Sequence, residues 1–240
     1  MTKKPLWMLV ALGLAVGLTA CGDDDDDDNG PPPPEGESYL RVIHASPDAS
    51  AVDIVVDGET ALSGVEYLDS SDYLEVAEGE HEIAIVPTDG DQALFITTVE
   101  LDENESYTVV AVGYAAAEGE DFDVLLLNDD AAPEEDGFAA RVVHAAPSVG
   151  EVDVYVVPGG TELEEATPIL VGMAFPEVSE YLPVEAGDYD VTVTLSDETE
   201  AAIGPVSISP EAEQALTFIA VEAEGGGEPY DILVLEDQTN

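Results

Sequence analysis

The chain has 240 residues, 45% of them hydrophobic, and sets 55 acidic residues against four Lys and Arg, a formal net charge of −51 at pH 7. That apolar content is too high for a disordered acidic tail. The charge excludes nucleic acid as a partner, because phosphate contacts need Lys and Arg, and it disfavours loose adsorption to anionic lipid.

The first twenty residues divide into three zones: Lys3 and Lys4, an apolar run from Leu6 to Leu18, and the ending Leu18-Thr19-Ala20-Cys21. A charged start, a short apolar run and small closing residues predict a secretory signal over residues 1–20. The run is shorter than the roughly 20 residues a spanning helix needs. Cys21 is the only cysteine in the chain, so it has no intramolecular disulfide partner. The Leu-Thr-Ala-Cys ending resembles the bacterial lipobox. That resemblance implies cleavage before Cys21, a diacylglycerol on its thiol as the only covalent group, and attachment to a membrane outside the cytoplasm. Gly22 after the cysteine leans towards the outer membrane, facing periplasm or cell surface.

Residues 21–38 contain six consecutive aspartates, Asp23 to Asp28, and four prolines, Pro31 to Pro34. Like charges repel and prolines favour an extended spacer, so this segment reads as an acidic tether. Beyond it the only lysine or arginine residues are Arg41 and Arg141. So acidic a surface repels itself in dilute buffer, whereas at molar salt the Debye length shrinks to about 3 Å. The composition therefore predicts a halophilic protein.

An internal repeat organises the remainder. Residues 41–54 read RVIHASPDASAVDI, and residues 141–154 read RVVHAAPSVGEVDV. Two further pairs follow in the same order: SDYLEVAEGEHEIAIV with SEYLPVEAGDYDVTVT, then DFDVLLLNDD with PYDILVLEDQ. A duplicated domain is the simplest explanation. The predicted segments are a first repeat over 39–128, a linker over 129–137 and a second repeat over 138–240. Val52, Ile54 and Val56 alternate with Asp53 and Asp57, and Val191, Val193 and Leu195 alternate in the second copy. Residues 106–114, SYTVVAVGY, form a continuous apolar run suited to a strand buried on both faces. Turn formers such as Asp57-Gly58 separate these runs. The pattern predicts an all-β protein: two tandem antiparallel β-sandwiches, immunoglobulin-like or transthyretin-like in size.

The R-V-x-H-A-x-P motif followed by V-D-[IV], with the later Tyr73 and Gly79 or Tyr181 and Gly187, resembles the family known as domain of unknown function 4397. The resemblance spans Tyr39 to Glu236 as two copies and implies a secreted or anchored β-sandwich without an assigned activity. Copy two departs at Val157-Pro158-Gly159-Gly160, where an insertion replaces the Asp57-Gly58 turn.

The candidate site residues are the repeated ones: Arg41, His44, Pro47 and Asp53, and their counterparts Arg141, His144, Pro147 and Asp153. An Arg–His pair suits an anion or glycan contact. The structural alternative has each Arg paired with a nearby acid and each His packed with a hydrogen bond, and it is the simpler account of a motif kept in both copies. Catalysis is not expected: only His44, His81 and His144 are available as imidazole bases, and no Ser, Thr or Cys is arranged with one. No resident metal is expected. Acidic loops at Asp89-Gly90-Asp91, Asp102-Glu103-Asn104-Glu105 and Asp129-Asp130 nevertheless offer oxygen ligands, which keeps calcium as the alternative. The resulting expectation is an exported, lipid-anchored envelope protein acting as a non-enzymatic binding or scaffolding module. Its partners would be the membrane, through its anchor, and an envelope protein or glycan. The alternative is a calcium-dependent adhesion module.

Overall fold

The structure, a computed structural model, describes residues 36–115 and 122–238. Cys21, the signal segment and nearly all of the tether lie outside the described residues. The first repeat contributes eight strands: β1 (Glu37–Ala45), β2 (Val52–Val56), β3 (Glu59–Val65), β4 (Leu74–Ala77), β5 (Gly79–Pro87), β6 (Phe95–Leu101), β7 (Ser106–Val112) and β8 (Asp123–Asn128). The second adds β9 (Gly137–His144), β10 (Val152–Pro158), β11 (Leu170–Met173), β12 (Leu182–Glu185), β13 (Tyr189–Leu195), β14 (Ala201–Ile208), β15 (Ala215–Val221) and β16 (Asp231–Glu236). A single 3-10 turn, Leu163–Glu165, is the only helical element among the described residues. No helix there is long and apolar enough to cross a membrane.

Each repeat forms two four-stranded sheets. In the first they run β4-β1-β7-β8 and β3-β2-β5-β6; in the second, β12-β9-β15-β16 and β11-β10-β13-β14. Pairing is antiparallel except for β1 with β7 and β9 with β15, which are parallel. The all-β sandwich expectation therefore holds, with one parallel pair added to each copy. Such a pair cannot be joined by a tight hairpin. The second sheet of each sandwich, together with β4 or β12, fills the chain between its two strands.

The side-chain period of two sorts β1 into two faces. Leu40 and Val42 enter the first sandwich core with Val52, Ile54, Ile83 and Ile85. Ile43 and Ala45 point the other way, into a separate buried cluster with Val110, Val112 and Leu127. That cluster also holds Val143, Ala145, Ile219 and Val221 of the second repeat. The β1 and β9 sheets thus pack back to back, and the described residues form a stack of four sheets with three apolar seams. Every residue of β7 and of β15 is buried, because both faces of these strands are covered. Full burial of one such Ile or Val stabilises the fold by about 1.5–3 kcal/mol. The outer strand β6 alternates instead, with one face towards water, and β3 is exposed along most of its length.

Turn chemistry follows the sequence. Asp57 and Gly58 both have positive φ, 51° and 80°, which suits a two-residue hairpin between β2 and β3. In the second copy β10 continues to Pro158 and the chain detours through Gly159-Gly160 and the 3-10 turn before β11. Of the residues read as a linker, Asp129 is fully buried and Ala131 nearly so.

Candidate functional site

The repeated arginines sit in the seam between the two sandwiches. Arg41 lies on the outward face of β1, beside Ile43, and is 4% exposed; Arg141 occupies the same place on β9 and is 3% exposed. Within its own repeat, Arg41 donates from Nε and Nη2 to Thr108 Oγ1, at 3.0 and 2.8 Å. Across the seam it donates from Nη1 to the Glu236 carbonyl at 2.8 Å and from Nη2 to the Asp237 carboxylate. Arg141 mirrors this arrangement. Its Nε donates to Thr217 Oγ1 at 3.0 Å, its Nη1 to the Asn128 carbonyl at 2.9 Å and its Nη2 to Asp129 Oδ1 at 2.5 Å.

The carboxylates are held in turn by their own repeats. Asp129 Oδ2 accepts from Thr108 at 2.6 Å and from the Tyr73 hydroxyl at 2.8 Å. Asp237 Oδ2 accepts from Thr217 at 2.6 Å and from Tyr181 at 2.7 Å. Each guanidinium also lies over a tyrosine ring, Arg41 at 4.8 Å from Tyr73 and Arg141 at 4.5 Å from Tyr181. Burial, reinforced by the neighbouring aspartate, raises both tyrosine pKa values, so each phenol keeps its proton and serves as donor. Two cations and two anions balance, and each has several partners. Buried charge is tolerated under those conditions. The arrangement leaves neither arginine available to a ligand.

The histidines serve the turns that follow. His44 Nε2 donates to the Ser50 carbonyl at 3.2 Å, and its Nδ1 accepts from the Ser46 amide at 3.3 Å. His144 does the same with Gly150 at 3.1 Å and Ala146 at 3.4 Å. A carbonyl only accepts and an amide only donates, so each ring is the neutral Nε2–H tautomer. Burial lowers both pKa values, against the smaller opposing pull of those carbonyls. Tyr67 meets His44 edge-on at 6.0 Å, and Phe175 meets His144 likewise at 6.2 Å.

Asp53 Oδ1 accepts from Ser63, Gly64 and Thr88, which pins β3 and the end of β5 to β2. Those bonds, led by the one from Thr88, hold its carboxyl below the ordinary range. Asp153 repeats the device with Gly172 and Ser196. The Pro47 carbonyl accepts from the Gly225 amide at 2.6 Å and so ties the two repeats together; Pro147 lies in the matching turn.

A second polar anchor lies at the far end of the seam, and sequence reasoning missed it. Glu222, 2% exposed, follows β15. It accepts from the Tyr114 hydroxyl at 2.6 Å, from the Ser148 amide at 2.5 Å and from the Gly227 amide at 2.8 Å. Tyr67 of the first repeat donates to its carbonyl at 2.7 Å. Burial alone would push the Glu222 carboxyl up, but the bonds from Ser148, Tyr114 and Gly227 outweigh it and hold the carboxyl below its ordinary value. The Tyr114 phenol is pushed up to about 12, by burial first and then by Glu222.

Other residues of the seam were visible in the sequence but not assigned to it. The sequence offers Asp129, beside Asp130, as a loop ligand for calcium; the fold places it against Arg141, Thr108 and Tyr73. Its counterpart Asp237, and the pair Thr108 and Thr217, recur at matching places in the two copies, and that recurrence was the available signal. Among the described residues no group of three or more His, Cys, Asp or Glu is arranged to hold a metal ion. His81, the third histidine, bridges the Asp57 carboxylate at 2.6 Å and the Ala77 carbonyl at 2.8 Å.

Comparison with curated proteins finds no match. Solved structures similar to this chain include a streptococcal virulence factor described as binding alpha-glucan, at 12% identity and a TM-score of 0.27, covering 81% of this chain and 96% of the other. A carbohydrate-binding module from Eubacterium rectale in complex with maltoheptaose matches at 10% identity and a TM-score of 0.25, covering 84% and 98%. An adhesin-like protein from Bacteroides ovatus matches at 12% identity and 0.24, covering 85% and 96%. At these TM-scores the likenesses carry no argument about ligand. The family comparison is of a different order, because its model matches residues 38–155 and again 158–240. The chain belongs to the family described as Domain of unknown function (DUF4397).

Proposed function

We propose that the protein is a lipid-anchored envelope component in which two sandwiches form one non-enzymatic binding or scaffolding body, built for high salt. The observation that carries this reading is the fate of its cations. Both arginines among the described residues are buried in the inter-repeat seam, so the outer surface presents carboxylates with no Lys or Arg between them. Such a surface repels itself at low ionic strength and is relieved as salt screens it. The engagement of His44, His81 and His144 with their own backbone and Asp57 supports a binding role over a catalytic one. Export and anchoring through Cys21 rest on the sequence of residues 1–21. An envelope protein or glycan remains the proposed partner.

Thermal unfolding of the chain from Glu37 onward, titrated separately with sodium chloride and calcium, tests the reading. The midpoint is expected to rise steadily up to molar sodium chloride. A sharp rise with calcium between micromolar and millimolar, at constant ionic strength, overturns it in favour of a calcium-dependent adhesion module. For the anchor, Cys21→Ser is expected to release the protein from the membrane fraction, and a variant that still pellets with membranes contradicts it.

A further inference from the structure

The seam between the repeats has the form of an isologous dimer interface carried on one chain. In such an interface the same patch faces itself, so that residue i meets j and j meets i. Here Arg41 reaches Asp237 and the carbonyl of Glu236, while Arg141 reaches Asp129 and the carbonyl of Asn128. Thr108 and Tyr73 hold Asp129 as Thr217 and Tyr181 hold Asp237. The pairings of the strands make Ile43 with Val110 equivalent to Val143 with Ile219. At this crossing each repeat therefore brings one Ile and one Val, a pair of equal volume whichever copy supplies it, while the edge of the layer differs, with Leu68 in the first copy and Phe175 and Val178 in the second.

We propose that this face of the first repeat is self-complementary and accepts a second copy of the first repeat in place of the second repeat. Asp129 would then stand where Asp237 stands. The carbonyl of Asn128 would replace that of Glu236, a backbone contact indifferent to the side chain. The same exchange fails for the second repeat. Pairing it with itself brings two Glu222 carboxylates to the seam, each without the hydroxyl that Tyr114 of the first repeat supplies. Glu222 is the element that selects the unlike pair, and the linker between repeats favours that pair further by holding the two at an effective concentration on the order of millimolar. A first repeat deprived of its neighbour has a defined partner: the first repeat of another chain.

The test uses two forms of the whole chain. In one, a specific protease site is inserted between Pro133 and Glu134, which lie outside both sheets. After cutting, the halves are expected to stay together. Separated in denaturant and refolded alone, the first half is expected to appear at twice its mass by light scattering, and Asp129→Ala is expected to abolish that pairing. In the other form, residues 137–238 are replaced by a second copy of residues 37–130. This chain is expected to fold as a monomer with a single cooperative transition. A first half that refolds as a monomer overturns the proposal. If that half does not refold, the second form decides: two separate transitions or aggregation overturns it, and one transition upholds it.

Discussion

The two repeats are most alike where they face each other and most different where they face water. Arg41 and Arg141, Thr108 and Thr217, Tyr73 and Tyr181, and Asp129 and Asp237 occupy matching positions in the seam, with matching bonds. On the outer sheets the likeness fades. The compact Asp57-Gly58 turn, with His81 beside Asp57, gives way in the second copy to Gly159-Gly160 and a 3-10 turn. The comparison teaches that the most recognisable motif of the chain is architectural. Its arginine belongs to the contact between copies and its histidine to the turn that positions that contact.

The largest test of this symmetry is to break one side of it. Asp237→Ala leaves the buried Arg41 with Asp129, at 4.0 Å, as its remaining carboxylate and removes the acceptor of Thr217 and Tyr181. A loss of about 3–5 kcal/mol in unfolding free energy is expected by denaturant titration. Asp129→Ala should cost a similar amount through Arg141. The double variant should cost less than the sum of the two, since all four charges share one network. A cost below about 1 kcal/mol for either single change would mean that the seam holds through its apolar residues alone.

The asymmetric end of the seam should respond less. Glu222→Gln keeps the shape but loses the charge that accepts from Tyr114, Ser148 and Gly227, and a loss of about 1–3 kcal/mol is expected. Because the folded carboxyl titrates below its ordinary value, its contribution is present at neutral pH. It disappears as pH falls below the unfolded value and through the folded one. The difference between wild type and variant should therefore shrink on acidification and vanish in strong acid. An unchanged difference down to that range would contradict the assigned bonds.

The histidines give a pH effect of the opposite chemical origin. His44 and His144 stay neutral when folded and take up protons more readily when unfolded. Stability should fall as pH drops below about 6.5, the unfolded value, with a slope of at most about 1.4 kcal/mol per pH unit for each ring. His44→Gln should remove about half of this slope, leaving the part due to His144. The smallest effect is expected on the outer sheets. Asp53→Ala, at a half-buried position of β2, should lower the unfolding midpoint less than Asp153→Ala, whose side chain is buried. Hydrogen exchange should localise either loss to the edge strand that the carboxylate pins.

Much of the fold is legible in the sequence. The alternation through Val52, Ile54 and Val56 marks a strand with one wet face, and the unbroken run in SYTVVAV marks one with none. What that run does not reveal is which surfaces cover it. One is the partner sheet of the same sandwich, and the other is the second repeat. The arginines were expected to pair with a nearby acid, but the partner of Arg41 lies 196 residues away, beyond the reach of any local pattern. Asp129 was hidden by its company: in a chain with 55 acidic residues, one buried carboxylate looks like the rest.

By itself, then, the sequence determined the duplication, the strand periodicity, the turns at Asp57-Gly58 and the scarcity of cations, because each of these is written in neighbouring residues or in direct repetition. Only the tertiary structure decided that the two copies pack back to back, that Arg41 and Arg141 cross between them, and that Glu222 is their asymmetric anchor. Those contacts depend on which faces of distant strands meet, and a period of two names the faces of a strand without saying what lies against them.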